Sequence, residues 1–134
     1  MNLCLFDLDH TLLPLDSDHE FGEFLIRQGL ADGEDYRRRN NDFYQQYCDG
    51  TLVLGDYINF TTSIWRQMDD DAQHALQQAF MAQVILPAVQ PQARELVERH
   101  RAQGDLLAIV TATNEFVTQP IADAFDVEHL LAVR

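Results

Sequence analysis

Positive charge is scarce in this sequence. Nine basic residues stand against 22 acidic ones, and the formal net charge is −13 at pH 7. A chain this acidic has no general attraction to nucleic-acid phosphates or to anionic lipid headgroups. The composition therefore argues against nonspecific binding to nucleic acid or to a membrane surface, although acidity alone identifies no partner.

Cysteine is also rare. The two cysteines, Cys4 and Cys48, lack the spacing of a metal site or a redox motif, which favours a reducing compartment. Nothing in the sequence resembles a signal peptide, and no apolar stretch is long enough to cross a bilayer. We therefore expect a cytoplasmic protein of one domain's length, with neither a nucleic-acid nor a membrane partner.

Three apolar runs indicate buried β-strands. Residues 3–6, 106–110 and 130–133 lack the alternation of a half-exposed strand, as is typical of a parallel sheet covered on both faces. Helical patterns separate the runs. The order strand, helix, strand, helix, strand predicts an α/β fold with a doubly wound, Rossmann-like parallel sheet.

A long helical insert follows the first predicted strand. It holds about seventy residues, whereas a strand-to-helix connection usually has roughly two to six. We predict an α/β core formed by residues 1–14 and 87–134, with residues 15–86 as a helical cap domain inserted after the first strand.

Local signals place several helices in the insert. Ser17 and Glu20 have the spacing of a capping box, and Asp70 is placed to cap a later helix. Between them lies an aromatic stripe that we expect to pack inside the insert's own core. Its members are Tyr36, Phe43, Tyr44 and Tyr47.

Helix boundaries are also visible after the insert. Pro91 is predicted to open a helix that Gly104 ends, with Val97 facing inward. A shorter helix is predicted to follow Asn114, with Pro120 in its first turn.

Two carboxylates follow the first strand directly. They are Asp7 and Asp9, in the segment Asp-Leu-Asp-His-Thr-Leu of residues 7–12. In an open parallel sheet, ligands bind beyond the carboxyl ends of the strands. One carboxylate could attack phosphorus if a magnesium ion offset the repulsion between two anions, and the other could serve the leaving group.

A second polar segment follows the second strand. Thr111, Ala112 and Asn114 lie where a strand ends and a helix begins. A hydroxyl group and several free backbone N–H groups at such a position can bind one phosphate. The two segments together predict a phosphate site at one edge of the sheet.

These segments resemble two motifs of the haloacid dehalogenase superfamily of phosphohydrolases. Residues 7–12 resemble the family's first motif and residues 110–114 its second. The insert lies where the phosphoserine phosphatase-like branch has a cap. The resemblance implies a magnesium-dependent phosphatase that acts on a small phosphorylated metabolite, such as phosphoserine or histidinol phosphate, through an aspartyl-phosphate intermediate.

The resemblance also implies residue roles. Asp7 would be the nucleophile and a Mg²⁺ ligand. Asp9 would bind the metal through its backbone carbonyl, while its side chain protonates the leaving oxygen and then activates water. Thr111, Ala112 and Asn114 would bind the phosphoryl group.

The sequence departs from the family in one respect. The family takes a lysine from a third motif and acidic metal ligands from a fourth, but residues 112–134 contain no lysine. Asp123 and Asp126 fall in or just after a predicted helix and are poor ligand candidates. The strand of the fourth motif, which would lie beside the first strand, is also missing. We therefore expect these parts to lie beyond Arg134 and the 134 residues alone to be inactive.

A non-catalytic alternative stays open. A receiver-like α/β domain is disfavoured because its aspartate follows a middle strand and it lacks a long insert. A degenerate family member that binds phosphate or a partner is not disfavoured, because half the expected site is absent. Oligomeric state is not predicted.

Two features of the insert also have two interpretations each. Arg37, Arg38 and Arg39 could form a solvated helix face or bind an acidic group of a substrate. Asp16 and Asp18 could meet an amine of the substrate or cap the first helix of the insert.

Overall fold

The fold is built around a parallel sheet. The computed structural model describes residues 2–133, and in it strands β1 (Leu3–Asp7), β2 (Leu106–Asn114) and β3 (His129–Val133) lie in the order β1-β2-β3. Both strand pairs are parallel. The predicted α/β fold with a Rossmann-like parallel sheet is thereby confirmed.

Helices make up most of the remaining chain. They are α1 (Ser17–Arg27), α2 (Gly33–Asp49), α3 (Leu54–Arg66), α4 (Asp70–Phe80), α5 (Leu86–Ala88), α6 (Pro91–Ala102) and α7 (Glu115–Ala124). A π-helical turn, Met81–Ile85, joins α4 to α5. Over the described residues, no helix combines the length and the apolar character that a membrane span needs.

The chain divides into two compact units. The first contains the sequence up to Phe21 and from Gln77 onward, and the second is Gly22–Leu76. The first unit holds the whole sheet together with α6 and α7.

The sheet is buried at its centre, but β1 is exposed on one face, so its predicted coverage on both faces is wrong. Ile109 on the central strand is fully buried, and Phe6 on β1 is nearly so. Leu3 and Leu5, on the other face of β1, are 62% and 57% exposed. Within residues 2–133, β1 pairs with β2 on one side only, which agrees with the open edge expected from the sequence.

The unit Gly22–Leu76 packs around aromatic rings. The ring of Phe43 lies 5.6 Å from Tyr57 and 5.3 Å from Phe60 on α3. The ring of Tyr36 lies 4.8 Å from Phe60. Half of the predicted aromatic stripe therefore lies in this core.

The other half of the stripe does not. Tyr44 and Tyr47 are 60% and 69% exposed, so their predicted burial is wrong. Tyr44 lies about 100° around the helix from Phe43. Tyr47 lies in the last turn of α2, beyond the ring contacts with α3, where the neighbouring Val53 is itself exposed.

Two helix caps lie one residue earlier than predicted. The Asp16 carboxylate accepts the backbone N–H of His19 at 3.0 Å, so Asp16 rather than Ser17 caps α1. The Asp69 carboxylate likewise accepts the N–H of Ala72 at 2.8 Å at the start of α4, in place of Asp70. Asp16 therefore follows its helix-capping interpretation.

Pro120 lies in the middle of α7 rather than in its first turn. The helix begins earlier because the Asn114 side chain caps it, accepting the N–H of Val117 at 3.0 Å. Proline has no N–H to donate to the carbonyl of Phe116, four residues before it. That carbonyl instead accepts the Gln77 side-chain N–H at 2.8 Å, which replaces the missing backbone bond.

Helix α6 has the predicted boundaries. It begins at Pro91, buries Val97, and is followed by Gly104, whose φ of +78° is in the left-handed region. No heavy atom lies within 4 Å of the position where a Cβ on Gly104 would sit. Any cost of a side chain there is therefore conformational rather than steric.

Replacing Gly104 with Ala is expected to lower the free energy of unfolding by about 1 kcal/mol, because a Cβ disfavours the left-handed conformation. Gly55→Ala is the matched control, since Gly55 also has open space but lies in the first turn of α3 without a positive φ. Its stability should be unchanged or higher. Thermal denaturation of both variants measures this, and equal midpoints for the two would contradict the conformational argument.

Candidate active site

Asp7 is the last residue of β1, and its side chain is exposed. The backbone N–H of Leu8 donates to Asp7 Oδ1 at 3.0 Å. The Thr11 hydroxyl donates to Oδ2 at 3.4 Å. Leu8 itself is buried and anchors the chain between the two acidic residues. A carboxylate held this way is accessible to a ligand at the carboxyl end of the sheet.

The chain turns back on itself immediately after Asp9. His10 has a φ of +58°, in the left-handed region, and its N–H donates to the carbonyl of Leu15 at 3.1 Å. The N–H of Leu13 donates to the carbonyl of Leu8 at 3.0 Å. Glycine adopts a positive φ without strain, whereas a residue with a Cβ, such as His10, adopts it less readily. The turn at residues 8–15 also brings Ser17 back into contact with Asp9.

Asp9 is held by two elements that are distant in sequence. Its Oδ1 accepts the backbone N–H of Ser17 at 2.7 Å, where α1 begins. Its Oδ2 accepts the hydroxyl of Thr113, on β2, at 3.1 Å. The Ser17 hydroxyl donates in turn to the Thr113 hydroxyl oxygen at 3.2 Å. Asp9, Ser17 and Thr113 thus form a hydrogen-bonded cluster at the end of the sheet.

The end of β2 is irregular where it reaches this cluster. Val110 pairs with Asp7 on one side and with Leu131 on the other. The next pair with β3 is Asn114 with Val133. Between these two pairs, β2 therefore contains two more residues than β3. Such a bulge turns side chains out of the regular alternation. Thr111 was predicted to follow the strand. It lies within it, because pairing with β3 resumes at Asn114.

Thr111 directly follows the residue that pairs with Asp7. Its hydroxyl oxygen accepts the N–H of Thr113 at 3.1 Å. A hydroxyl that accepts through its oxygen keeps its own proton for another acceptor, such as a phosphate oxygen. Ala112 is exposed, with no side chain to obstruct a ligand beside its backbone.

Asn114 has a local role in this structure. Its side-chain oxygen is the cap of α7, and its carbonyl accepts the hydroxyl of Thr118 at 2.9 Å. The cap brings the N-terminus of α7 directly after Thr111 and Ala112. A helix N-terminus favours anions. Asn114 can therefore contribute to phosphate binding indirectly, by capping α7.

Ser17 and Thr113 were not among the predicted site residues. Thr113 had a signal, because it lies two positions after Thr111 and residues two apart share a face of a strand. Ser17 had only the signal of a helix cap, which Asp16 provides instead.

The donor groups suit a hard cation only in part. Among residues 2–133, no group of three or more His, Cys, Asp or Glu side chains could hold a metal ion. Asp7 offers an exposed carboxylate, while both carboxylate oxygens of Asp9 accept hydrogen bonds. Mg²⁺ is commonly bound by one or two carboxylates together with substrate phosphate and water. The residues therefore fit Mg²⁺ bound together with a phosphate, but not a metal held by these side chains alone.

The arginine run on α2 is paired with acidic side chains. Arg37 donates to Glu23 through two bonds of 3.1 and 2.7 Å, and this hydrogen bonding raises the pKa of Arg37. Arg38 and Arg39 both contact Asp35, at 2.6 and 3.2 Å. These contacts agree with the interpretation of a solvated helix face, and they add ion pairs to it.

Comparisons with known proteins identify the family to which the chain is similar. A sequence model of the haloacid dehalogenase-like hydrolase family matches residues 4–134. A protein of Neisseria meningitidis serogroup C (strain 8013), named histidinol-phosphatase, is 32% identical over 133 residues. That alignment covers 99% of this chain and 60% of the relative.

Solved structures share the fold. A protein with unknown function from Bordetella pertussis Tohama I superposes with a TM-score of 0.88 at 47% identity, over 98% of this chain and 59% of that one. A phosphoserine phosphohydrolase-like protein from Francisella tularensis subsp. tularensis SCHU S4 gives a TM-score of 0.66 at 17% identity, over 98% and 58%. The chain thus spans about 60% of the length of the relatives that it matches.

Proposed function

The chain belongs to the family of haloacid dehalogenase-like hydrolases, and on that premise we propose that it carries the nucleophile of a magnesium-dependent phosphatase. The observation that carries this proposal is the meeting of an exposed Asp7, a hydrogen-bonded Asp9 and the hydroxyl of Thr111 at the carboxyl ends of two paired strands. The substrate class is a small alcohol phosphate. Histidinol phosphate is the first candidate because of the relative's name, and phosphoserine is the second.

The proposed reaction has two steps. The Asp7 carboxylate attacks phosphorus, a new P–O bond forms, and the ester P–O bond breaks to release the alcohol oxygen. Asp9 gives that oxygen its proton. Asp9 then takes a proton from water, which attacks the phosphorus of the aspartyl phosphate and regenerates Asp7 with release of inorganic phosphate.

Phosphate binding is assigned to the end of β2. The Thr111 hydroxyl keeps a proton to donate, and the backbone N–H of Ala112 and those at the start of α7 would add further donors. Asn114 contributes by capping that helix. Donors fixed in place before the substrate arrives stabilise the charge on the transferring group without reorganisation.

Magnesium would be held by the Asp7 carboxylate and the backbone carbonyl of Asp9. When bound, it would offset the repulsion between the Asp7 carboxylate and the phosphate. The sequence contains no lysine at any position, so a cationic side chain of the kind expected in this family is not available within these 134 residues.

We further propose that residues 15–86 act as a cap that limits substrate size, with residues 1–14 and 87–134 as the catalytic core. The compact unit Gly22–Leu76 supports a separately folded insert. A cytoplasmic location is supported by Cys4 and Cys48, which are both free thiols.

A second candidate function is phosphate binding without catalysis. It is the less favoured candidate, because the chain matches a family of hydrolases and a relative named histidinol-phosphatase. Phosphate release distinguishes it from the first candidate.

The proposal is tested on the full-length protein with histidinol phosphate, phosphoserine and p-nitrophenyl phosphate, each with Mg²⁺ and with EDTA. We expect release of inorganic phosphate that requires Mg²⁺. Calorimetry with inorganic phosphate is the companion measurement. Binding of phosphate without hydrolysis of any of the three esters would favour the non-catalytic candidate.

A further inference from the structure

We propose that Thr113 and Ser17 are positioning residues for Asp9. Their two hydroxyl groups form a relay that holds the Asp9 carboxyl group in the orientation from which it gives its proton to the leaving oxygen. This inference rests on the proposed phosphatase function. It adds residues that touch neither substrate nor metal but act through Asp9.

The donors and acceptors available determine which group donates in each hydrogen bond of the relay. An ionised carboxylate only accepts, so the hydroxyl of Thr113 must donate to Asp9 Oδ2, 3.1 Å away. Its oxygen is then free to accept the hydroxyl of Ser17, at 3.2 Å. The backbone N–H of Ser17 donates to the other carboxylate oxygen at 2.7 Å. Both oxygens of Asp9 are therefore fixed, which prevents the carboxyl group from rotating.

Hydroxyl groups suit this position because a hydroxyl both donates and accepts. Thr113 can donate to Asp9 while its oxygen accepts the hydroxyl of Ser17, whereas a backbone N–H could only donate.

Burial and chain geometry indicate that this contact is specific. Ser17 is 0% exposed and Thr113 is 6% exposed, so neither hydroxyl can take water as an easy substitute partner. Thr113 lies in the bulge of β2, where regular pairing with β3 is interrupted. Bulges commonly re-aim a side chain next to an active site, and here the side chain meets Asp9.

The test uses leaving groups that differ in their need for an acid. An alkyl oxygen needs a proton to depart, whereas p-nitrophenolate departs as a stable anion. The value of kcat/KM reports only the steps up to departure of the leaving group, so later hydrolysis of the intermediate does not enter.

In the full-length protein, Thr113→Val should lower kcat/KM for the alkyl ester by about tenfold or more. The alkyl ester is whichever of histidinol phosphate and phosphoserine the wild type hydrolyses. The value for p-nitrophenyl phosphate should change by less than about threefold.

Three further variants separate positioning from packing. Thr113→Ser keeps the hydroxyl and should restore most of the alkyl-ester activity. Ser17→Ala removes one hydroxyl but leaves the backbone bond to Asp9, so it should shift the alkyl-to-aryl ratio in the same direction by a smaller factor. Thr118→Val also removes a buried hydroxyl, one bonded to the carbonyl of Asn114 instead, and should leave the ratio unchanged.

The outcomes are distinct. A selective loss on the alkyl ester that Thr113→Ser reverses supports the relay. An equal loss on both esters in Thr113→Val and Ser17→Ala assigns the hydroxyls to stability alone and overturns the inference. A wild-type protein that hydrolyses no ester with Mg²⁺ overturns the proposed function, and the inference fails with it.

Discussion

Replacing Asp7 with Asn is expected to abolish phosphate release by the full-length protein, with a loss of about ten-thousandfold or more in kcat. An amide oxygen is a far poorer nucleophile than a carboxylate, and it does not form the aspartyl phosphate. It also carries no charge for Mg²⁺. The fold should persist, because Asn keeps an acceptor for the N–H of Leu8 and the side chain at this position is exposed.

The matched control for this substitution is Asp123→Asn. Asp123 is an exposed carboxylate on α7, bonded to Gln119, and the same change there should leave turnover unchanged. Inorganic phosphate release and thermal denaturation are measured for both variants. Mass spectrometry of acid-quenched wild type should find a phosphoryl group on the peptide that contains Asp7. A well-folded Asp7→Asn variant with substantial activity would refute the role of Asp7 as nucleophile.

Asp9→Asn is expected to have the second largest effect, a loss of about a hundredfold to ten-thousandfold in kcat on alkyl esters. An amide cannot give a proton to the leaving oxygen or take one from water. Its geometry should survive, since the amide oxygen can accept the N–H of Ser17 while the amide nitrogen donates to the oxygen of Thr113. Affinity for Mg²⁺ should be little changed, because the proposed contact is through the backbone carbonyl.

Pre-steady-state kinetics give Asp9→Asn a signature that Asp7→Asn lacks. With p-nitrophenyl phosphate, the first step needs no acid, whereas hydrolysis of the aspartyl phosphate still needs a base. The variant should therefore release a burst of nitrophenolate of about one equivalent and then turn over slowly, with phosphate retained on Asp7. If Asp9→Asn altered Mg²⁺ affinity and left turnover intact, the acid–base assignment would be wrong.

The strands and the acidic residues at their ends could be predicted from the sequence because their signals are local. Each strand is a continuous apolar run, and α6 has Pro91 at its start and Gly104 after its end. Asp7 and Asp9 follow the first run within three residues. Position at a strand end then places them at the ligand-binding edge of any parallel sheet.

The partners of Asp9 could not be predicted because their signals are not local. Thr113 donates to Asp9 across 104 residues of sequence, and only the pairing of β1 with β2 brings them together. Ser17 fits a capping pattern as well as Asp16 does. The choice between them follows from tertiary contacts, because Ser17 already contacts Asp9 and Thr113 while Asp16 remains at the surface.

The end of β2 and the middle of α7 also depend on contacts that are not local in sequence, so they could not be predicted either. Nothing in the run Leu-Leu-Ala-Ile-Val predicts that pairing would resume at Asn114, since Val133 of β3 decides it. Pro120 is a strong local signal against a helix interior. Its position inside α7 is tolerated because Gln77, from another element, supplies the bond that proline cannot.

The pairing of β1 with β2 also has a consequence during synthesis on the ribosome. Leu3 emerges first, but its partner Leu106 is made only after the entire insert. At a synthesis rate of about 5 to 20 residues per second, roughly 5 to 20 seconds pass before the strand that pairs with β1 is made. The helices of Gly22–Leu76 make mainly local contacts and can form within that interval. The nascent chain therefore presents an apolar strand without its partner during an interval in which the insert can already fold. Its yield should depend on temperature and on chaperones that shield residues 3–6.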